Sequence, residues 1–108
     1  MDAIAIELLR ELCNNRRIIY SVHSLERLQE RDIFRKDVIS AIRTGEIIEQ
    51  YPDDTPYPSC LVFGTSARNK PLHVVCAYDG STITVITAYY PSLDKFEIDL
   101  KTRKERNS

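Results

Sequence analysis

The chain has 108 residues, 43% of them apolar, and a formal net charge of −1, which fits one globular domain and excludes a disordered or polyelectrolyte chain. Its longest apolar runs are a handful of residues, far short of the ~20 that a membrane helix needs, so no membrane partner is expected. Cys13, Cys60 and Cys76 form no Cys-x-x-Cys pair; the spacing fits neither a zinc site nor a disulfide framework, and buried free thiols are expected.

An acid at Asp2, where a secretory signal has a basic start, points to a cytoplasmic protein. Charge is unevenly spread. Residues 16–36 hold six basic and three acidic groups, a net of +3, whereas residues 37–58 hold one base and five acids, a net of −4. The local positive stretch is compatible with binding phosphates, and equally with solvated arginines.

In chain order, residues 2–13 repeat apolar groups at Ile4, Leu8, Leu9 and Leu12, the pattern of an amphipathic helix that stops at Asn14-Asn15. Ile18-Ile19-Tyr20 is a small strand or an extended lead-in. Ser21 can cap the next helix through its hydroxyl, and Asp32, tolerant of left-handed backbone, closes it. Ile33 and Phe34 are expected to be buried in the hinge before a further helix at 35–44, whose buried stripe is Val38, Ile39 and Ile42 and whose end is Gly45.

From Glu46 the character changes to strands. Residues 46–51 read as an edge strand, and three prolines within 52–58 forbid helix and inner strand. Strands follow at 60–65, at 72–78 (nearly all apolar, hence central) and at 82–90, the last two joined at Asp79-Gly80. Phe96, Ile98 and Leu100 alternate with acids, as in a short edge strand or arm. The predicted organisation is a single domain: an N-terminal helix at 1–15, a core at 18–100 and a frayed basic tail at 101–108. The fold class is α+β, with the helices packed on one face of an antiparallel sheet.

The run Ser21 to Arg31 carries the most chemistry. At about 100° per residue, His23, Arg27 and Arg31 follow one another at i, i+4 and i+8, with Glu30 close to the same line and Leu25 and Leu28 opposite. Histidine is the residue type suited to acid or base work near neutral pH, so His23 is the candidate acid or base, and a guanidinium pairs with phosphate oxygens as lysine cannot. The alternative is structural: His23 caps its helix or satisfies a carbonyl, and the arginines pair with Glu26, Glu30 or acids of 46–54. Asp53, Tyr57, His73 and Tyr89 are candidates of lower rank, His73 being equally a core histidine. Two histidines without a tight acid or cysteine cluster make a poor ligand set, so neither metal nor other cofactor is expected.

Ser21-Val22-His23-Ser24-Leu25-Glu26-Arg27-Leu28-Gln29-Glu30-Arg31-Asp32-Ile33 resembles the opening motif S-x-H-x-x-x-R-x-x-x-R-x-I of the domain-of-unknown-function family DUF4258. Residues 45–54 and 56–61 resemble its middle block, and residues 71–75 and 86–91 its last two strands. Two positions depart from the pattern: Asp32 replaces a usual glycine, and Phe34 replaces the usual Ser or Thr cap of the following helix, a loss of about 1 kcal/mol if nothing substitutes for it. The resemblance implies a four- to five-stranded antiparallel sheet similar in outline to the RelE/ParE-like, BrnT-like and MqsR-like toxins. It also implies an antitoxin-like partner, of zinc-finger type in many members, encoded alongside. The expected function is a toxin-like module of a bacterial toxin–antitoxin pair, acting as a metal-independent endoribonuclease on single-stranded RNA. The competing expectations are a non-catalytic domain that binds a neighbour-encoded partner and, more weakly, a DNA-binding helix-turn-helix. Whether the chain is a monomer or a homodimer stays open.

Overall fold

The computed structural model describes residues 3–105, which form three helices and five strands. The helices are α1 (Ile6–Asn14), α2 (Val22–Glu30) and α3 (Arg35–Thr44); the strands are β1 (Ile18–Tyr20), β2 (Glu46–Tyr51), β3 (Ser59–Thr65), β4 (Pro71–Tyr78) and β5 (Ile83–Tyr89). One sheet runs in the order β1-β5-β4-β3-β2. Its pairs are antiparallel except β1, which lies parallel to β5 at the edge. The fold is α+β with a mostly antiparallel sheet. The parallel edge corrects the expectation of an all-antiparallel one: a three-residue run has no periodicity of its own, and its partner comes 65 residues later (Ile18 beside Ile83).

Strand alternation divides the sheet into two faces. Cys60, Val62, Leu72, Val74, Cys76, Ile83 and Val85 point to the helix side and are fully buried with Leu28, Val38, Ala41 and Ile42. There α3 crosses β3 and β4, α2 lies over β5, and α1 leans on α3. Gly45 and Gly64 make this close approach, because a Cβ at either would collide with the Ala41 carbonyl. Gly45 ends α3 in extended rather than left-handed backbone (φ −99°). The last turn is also stitched to β3: Ser40 Oγ donates to the Thr65 carbonyl at 2.8 Å, and the Thr65 amide donates to Thr44 Oγ1 at 3.0 Å. From α1, Arg10 caps α3 by donating to the carbonyls of Ile42 (3.3 Å) and Gly45 (2.8 Å).

The opposite face is covered by the segment after β5. Phe96 is buried, its ring edge-on to His73 with centroids 4.6 Å apart. The expected alternation of Phe96, Ile98 and Leu100 does not make a strand: Ile98 is 90% exposed. The Asp99 carboxylate accepts amide hydrogens from Lys101 and Thr102, so the chain turns there instead. Leu100 takes positive φ (60°) in this turn. Lys101 and Arg103 then reach back to Glu46 (3.0 Å) and Glu49 (2.8 Å) on β2. The part of the predicted tail at 106–108 lies outside the described residues, as does the predicted helix start at Asp2; the helix itself begins at Ile6.

Around α2 the local rules hold well. Ser21 Oγ accepts from the Ser24 amide at 3.0 Å, and Asp32 is left-handed at φ 57°. Ile33 is buried, but Phe34 is 51% exposed, which corrects the expectation of a buried hinge aromatic. Only one half of a capping box is present: Asp37 Oδ2 accepts from the Phe34 amide at 2.8 Å and Oδ1 accepts from the Ala67 amide at 3.0 Å, while the phenyl ring offers no acceptor to the first-turn amides. The ring is left outside.

Candidate functional site

Helix α2 is held down along Ser24, Leu28 and Arg31, the first two buried and the third half-buried. His23 and Arg27 lie on its solvent side, exposed, with no hydrogen bond or ion pair among the described residues. The reason is rotational. Each i to i+4 step advances about 40° round the helix, so the line through His23, Arg27 and Arg31 spirals from solvent toward the sheet. By Arg31 it has reached β5. There Nη1 donates to Thr87 Oγ1 at 2.9 Å and to the Ala88 carbonyl at 2.9 Å.

That contact falls on the part of β5 beyond Val85, the last residue paired with β1. Arg31 thus covers an open strand edge, which places the guanidinium in a structural role as well as beside the ridge. Glu30 is exposed one residue earlier, near the azimuth of His23.

The lower-ranked residues fall elsewhere. His73 and Tyr89 do meet, but on the face away from α2. The buried imidazole donates from Nε2 to the Leu100 carbonyl at 2.7 Å and accepts at Nδ1 from the Tyr89 hydroxyl at 3.3 Å. Burial pushes its pKa below the usual imidazole range, partly offset by the Leu100 bond. Burial likewise pushes the Tyr89 phenol up. Nearby, Glu49 accepts from the Tyr51 hydroxyl and from Arg103 Nε, closing a polar cluster around the docked arm. Asp53 and Tyr57 sit in the β2–β3 loop, Tyr57 beside a largely apolar cavity of about 400 Å³ near Leu8 and Tyr78. Three strand spacings, about 14 Å, separate β2 from β5, over which α2 lies. His23, Arg27 and Glu30 therefore share the exposed side of α2, Arg31 at its C-cap is turned onto β5, and Asp53, Tyr57, His73 and Tyr89 lie apart from them.

A neighbouring group was not visible in the spacing. Arg68, in the β3–β4 turn, donates to the Asp32 carbonyl at 2.6 Å, to Asp32 Oδ2 at 3.2 Å and to the Tyr90 hydroxyl at 3.3 Å. Its partners are 36 and 22 residues away, so no local pattern announces them. Among the described residues no group of three His, Cys, Asp or Glu side chains is placed to hold a metal ion, and no helix is long and apolar enough to cross a membrane.

Fold and site together define a small α+β domain whose second helix carries an open imidazole–guanidinium ridge beside a sheet edge. The chain belongs to the DUF4258 family, a domain of unknown function, whose model matches residues 20–90. The match includes all of α2, α3 and β2 to β5. No curated protein and no solved structure matches the chain.

Proposed function

We propose that this domain is a toxin-like module of a bacterial toxin–antitoxin pair that cleaves single-stranded RNA without a metal. The observation that carries the reading is the solvent side of α2, where His23 and Arg27 stand one turn apart with no partner among the described residues. In such cleavage the 2′-oxygen attacks the adjacent phosphorus, the bond to the 5′-oxygen breaks, and a cyclic phosphate forms. His23 serves as the base that takes the 2′-hydroxyl proton or as the acid that protonates the leaving 5′-oxygen. Arg27 neutralises charge on the phosphate oxygens. Arg31 positions the ridge by tying the end of α2 to β5.

The test is inducible expression in a bacterial host. Wild type should arrest growth, and His23→Ala should be harmless at equal protein level. Equal, harmless growth of both would remove the enzymatic reading.

The second reading is a non-catalytic domain whose ridge docks an antitoxin-like partner encoded beside it. It is favoured by the alternation of Glu26, Arg27 and Glu30 on the exposed face. Capture of the neighbouring protein by wild type but not by Arg27→Glu, with no RNA cleavage, would select it.

A further inference from the structure

Phe34 is an aromatic residue that the core does not use. Its ring offers no cap to α3, the hinge is filled by Ile33, and Phe34 is 51% exposed. The ring borders a groove of about 360 Å³ between α2 and α3. Leu25, Leu28 and Ile33, buried or partly buried, form the groove's floor, and Phe34 and Arg35 stand exposed at its rim.

Around it, aromatic rings and cations alternate. Arg35 lies over Tyr20 (5.2 Å from guanidinium carbon to ring centroid), Lys36 and Arg68 approach Phe34 (5.8 and 5.6 Å), and Lys70 approaches Tyr90 (5.9 Å). Arg68 ties the row together by bonding Asp32 and Tyr90. Asp32 is the one acid among the residues lining the groove, and its carboxylate is already paired to Arg68 at 3.2 Å. With the Arg68 and Asp32 charges offsetting one another, the net field over the groove is set by Arg35, Lys36 and Lys70.

We infer that this groove is the stacking seat for an unpaired base of single-stranded RNA. Phe34 lies against the base, and Arg35, Lys36 and Lys70 hold the flanking phosphates. The inference rests on the reading of RNA as substrate and specifies where the strand lies. An apolar floor, an exposed ring and exposed cations match a flat π-face joined to phosphates, the combination that single-strand binders use. An acidic peptide would satisfy the cations but has no use for the ring and the floor. The groove lies on the flank of α2 that carries Leu25, Leu28 and Gln29, and the His23–Arg27 ridge lies on the opposite flank, with His23 about 12 Å from Arg31 along the axis at 1.5 Å per residue. A strand that reaches from Phe34 to the imidazole therefore crosses over α2.

The experiment is fluorescence anisotropy with a short labelled single-stranded RNA at low salt. It uses the full chain as wild type, Phe34→Ala, Phe34→Tyr, Lys36→Gln and His23→Ala, with circular dichroism confirming that each is folded. Wild type should prefer the single strand to a duplex of the same sequence. Phe34→Ala should weaken binding roughly tenfold, Phe34→Tyr should restore it, and Lys36→Gln should lower the dependence on salt. His23→Ala serves as the arm in which binding is read without cleavage of the probe.

Binding unchanged in folded Phe34→Ala, a preference for duplex, no RNA binding by wild type, or tighter binding to a poly-glutamate peptide would each overturn the inference. The two readings separate cleanly. Phe34-dependent binding without cleavage keeps the seat and removes the ribonuclease; His23-dependent cleavage unaffected by Phe34→Ala does the reverse.

Discussion

At the residue scale, Asp37 and the cysteines show how burial decides what a polar or reactive side chain is for. Asp37 is fully buried, and its two carboxylate oxygens accept amide hydrogens from two different elements, Phe34 before α3 and Ala67 in the β3–β4 turn. Removing it orphans both donors, so Asp37→Ala should lower unfolding free energy by about 2–3 kcal/mol in urea titration. Asp37→Ser, with a single hydroxyl, should recover only part of this. Cys13, Cys60 and Cys76 are all buried free thiols. Burial raises all three thiols, Cys60 to about 12 and Cys76 well above the ordinary thiol range, although Arg43 opposes the effect at Cys13. Folded protein should therefore resist alkylation by iodoacetamide at neutral pH and react at all three positions only in denaturant; fast labelling of native Cys60 or Cys76 would contradict their placement. Phe34 marks where reading residue by residue goes astray: an apolar side chain between two helices suggests the inside, yet burial of apolar groups is a one-way rule.

At the element scale, α2 was largely legible because its signals are local: a serine cap, an apolar pair at i and i+3 (Leu25 and Leu28), and a left-handed Asp32. The charged line was also legible, but its fate was not. The spiral that carries Arg31 onto β5 ends on Thr87 and Ala88, 56 and 57 residues later, and nothing in the helix names those partners. The same holds for the arm after β5. Its alternating pattern suggested a strand, whereas an Asx turn at Asp99 and ion pairs to β2 make it a clasp over His73. That clasp is acid-sensitive. Because the folded pKa of His73 lies below that of a free imidazole, the unfolded chain takes up a proton first as pH falls below about 6.5. Stability from this group is therefore complete at neutral pH and declines with acidification, by at most about 1.4 kcal/mol per pH unit. Urea midpoints at pH 7.5 and 5.5 should show a drop for wild type that is smaller in His73→Gln; a stability rising toward acid would contradict the assignment. Tyr89, Glu49 and Arg103 are the titratable and charged groups around this imidazole. The contact of α3 on β3 is tested by Gly64→Ala, whose added Cβ meets the Ala41 backbone and should cost about 3 kcal/mol.

At the scale of the whole molecule, the α+β architecture, the central place of β4 and the edge position of β2 follow from composition and alternation alone. The parallel β1 does not, since topology at a sheet edge is set by a partner and not by a pattern. The sheet order explains why the predicted site residues do not all converge. Helix α2 lies over β5 on one face, His73 and Tyr89 belong to the other face, and Asp53 and Tyr57 hang beyond β2. What remains as a chemical surface is α2 itself, with His23 and Arg27 on one flank and the groove at Phe34 on the other. The measurement that bears on it most directly is single-turnover cleavage of an end-labelled single-stranded RNA by purified wild type, His23→Ala and Arg27→Ala in the presence of chelator. The account predicts cleavage by wild type, a loss of about 10²- to 10⁴-fold in His23→Ala and a smaller loss in Arg27→Ala. Cleavage by His23→Ala at the wild-type rate, or none by folded wild type on any unpaired RNA, would contradict it.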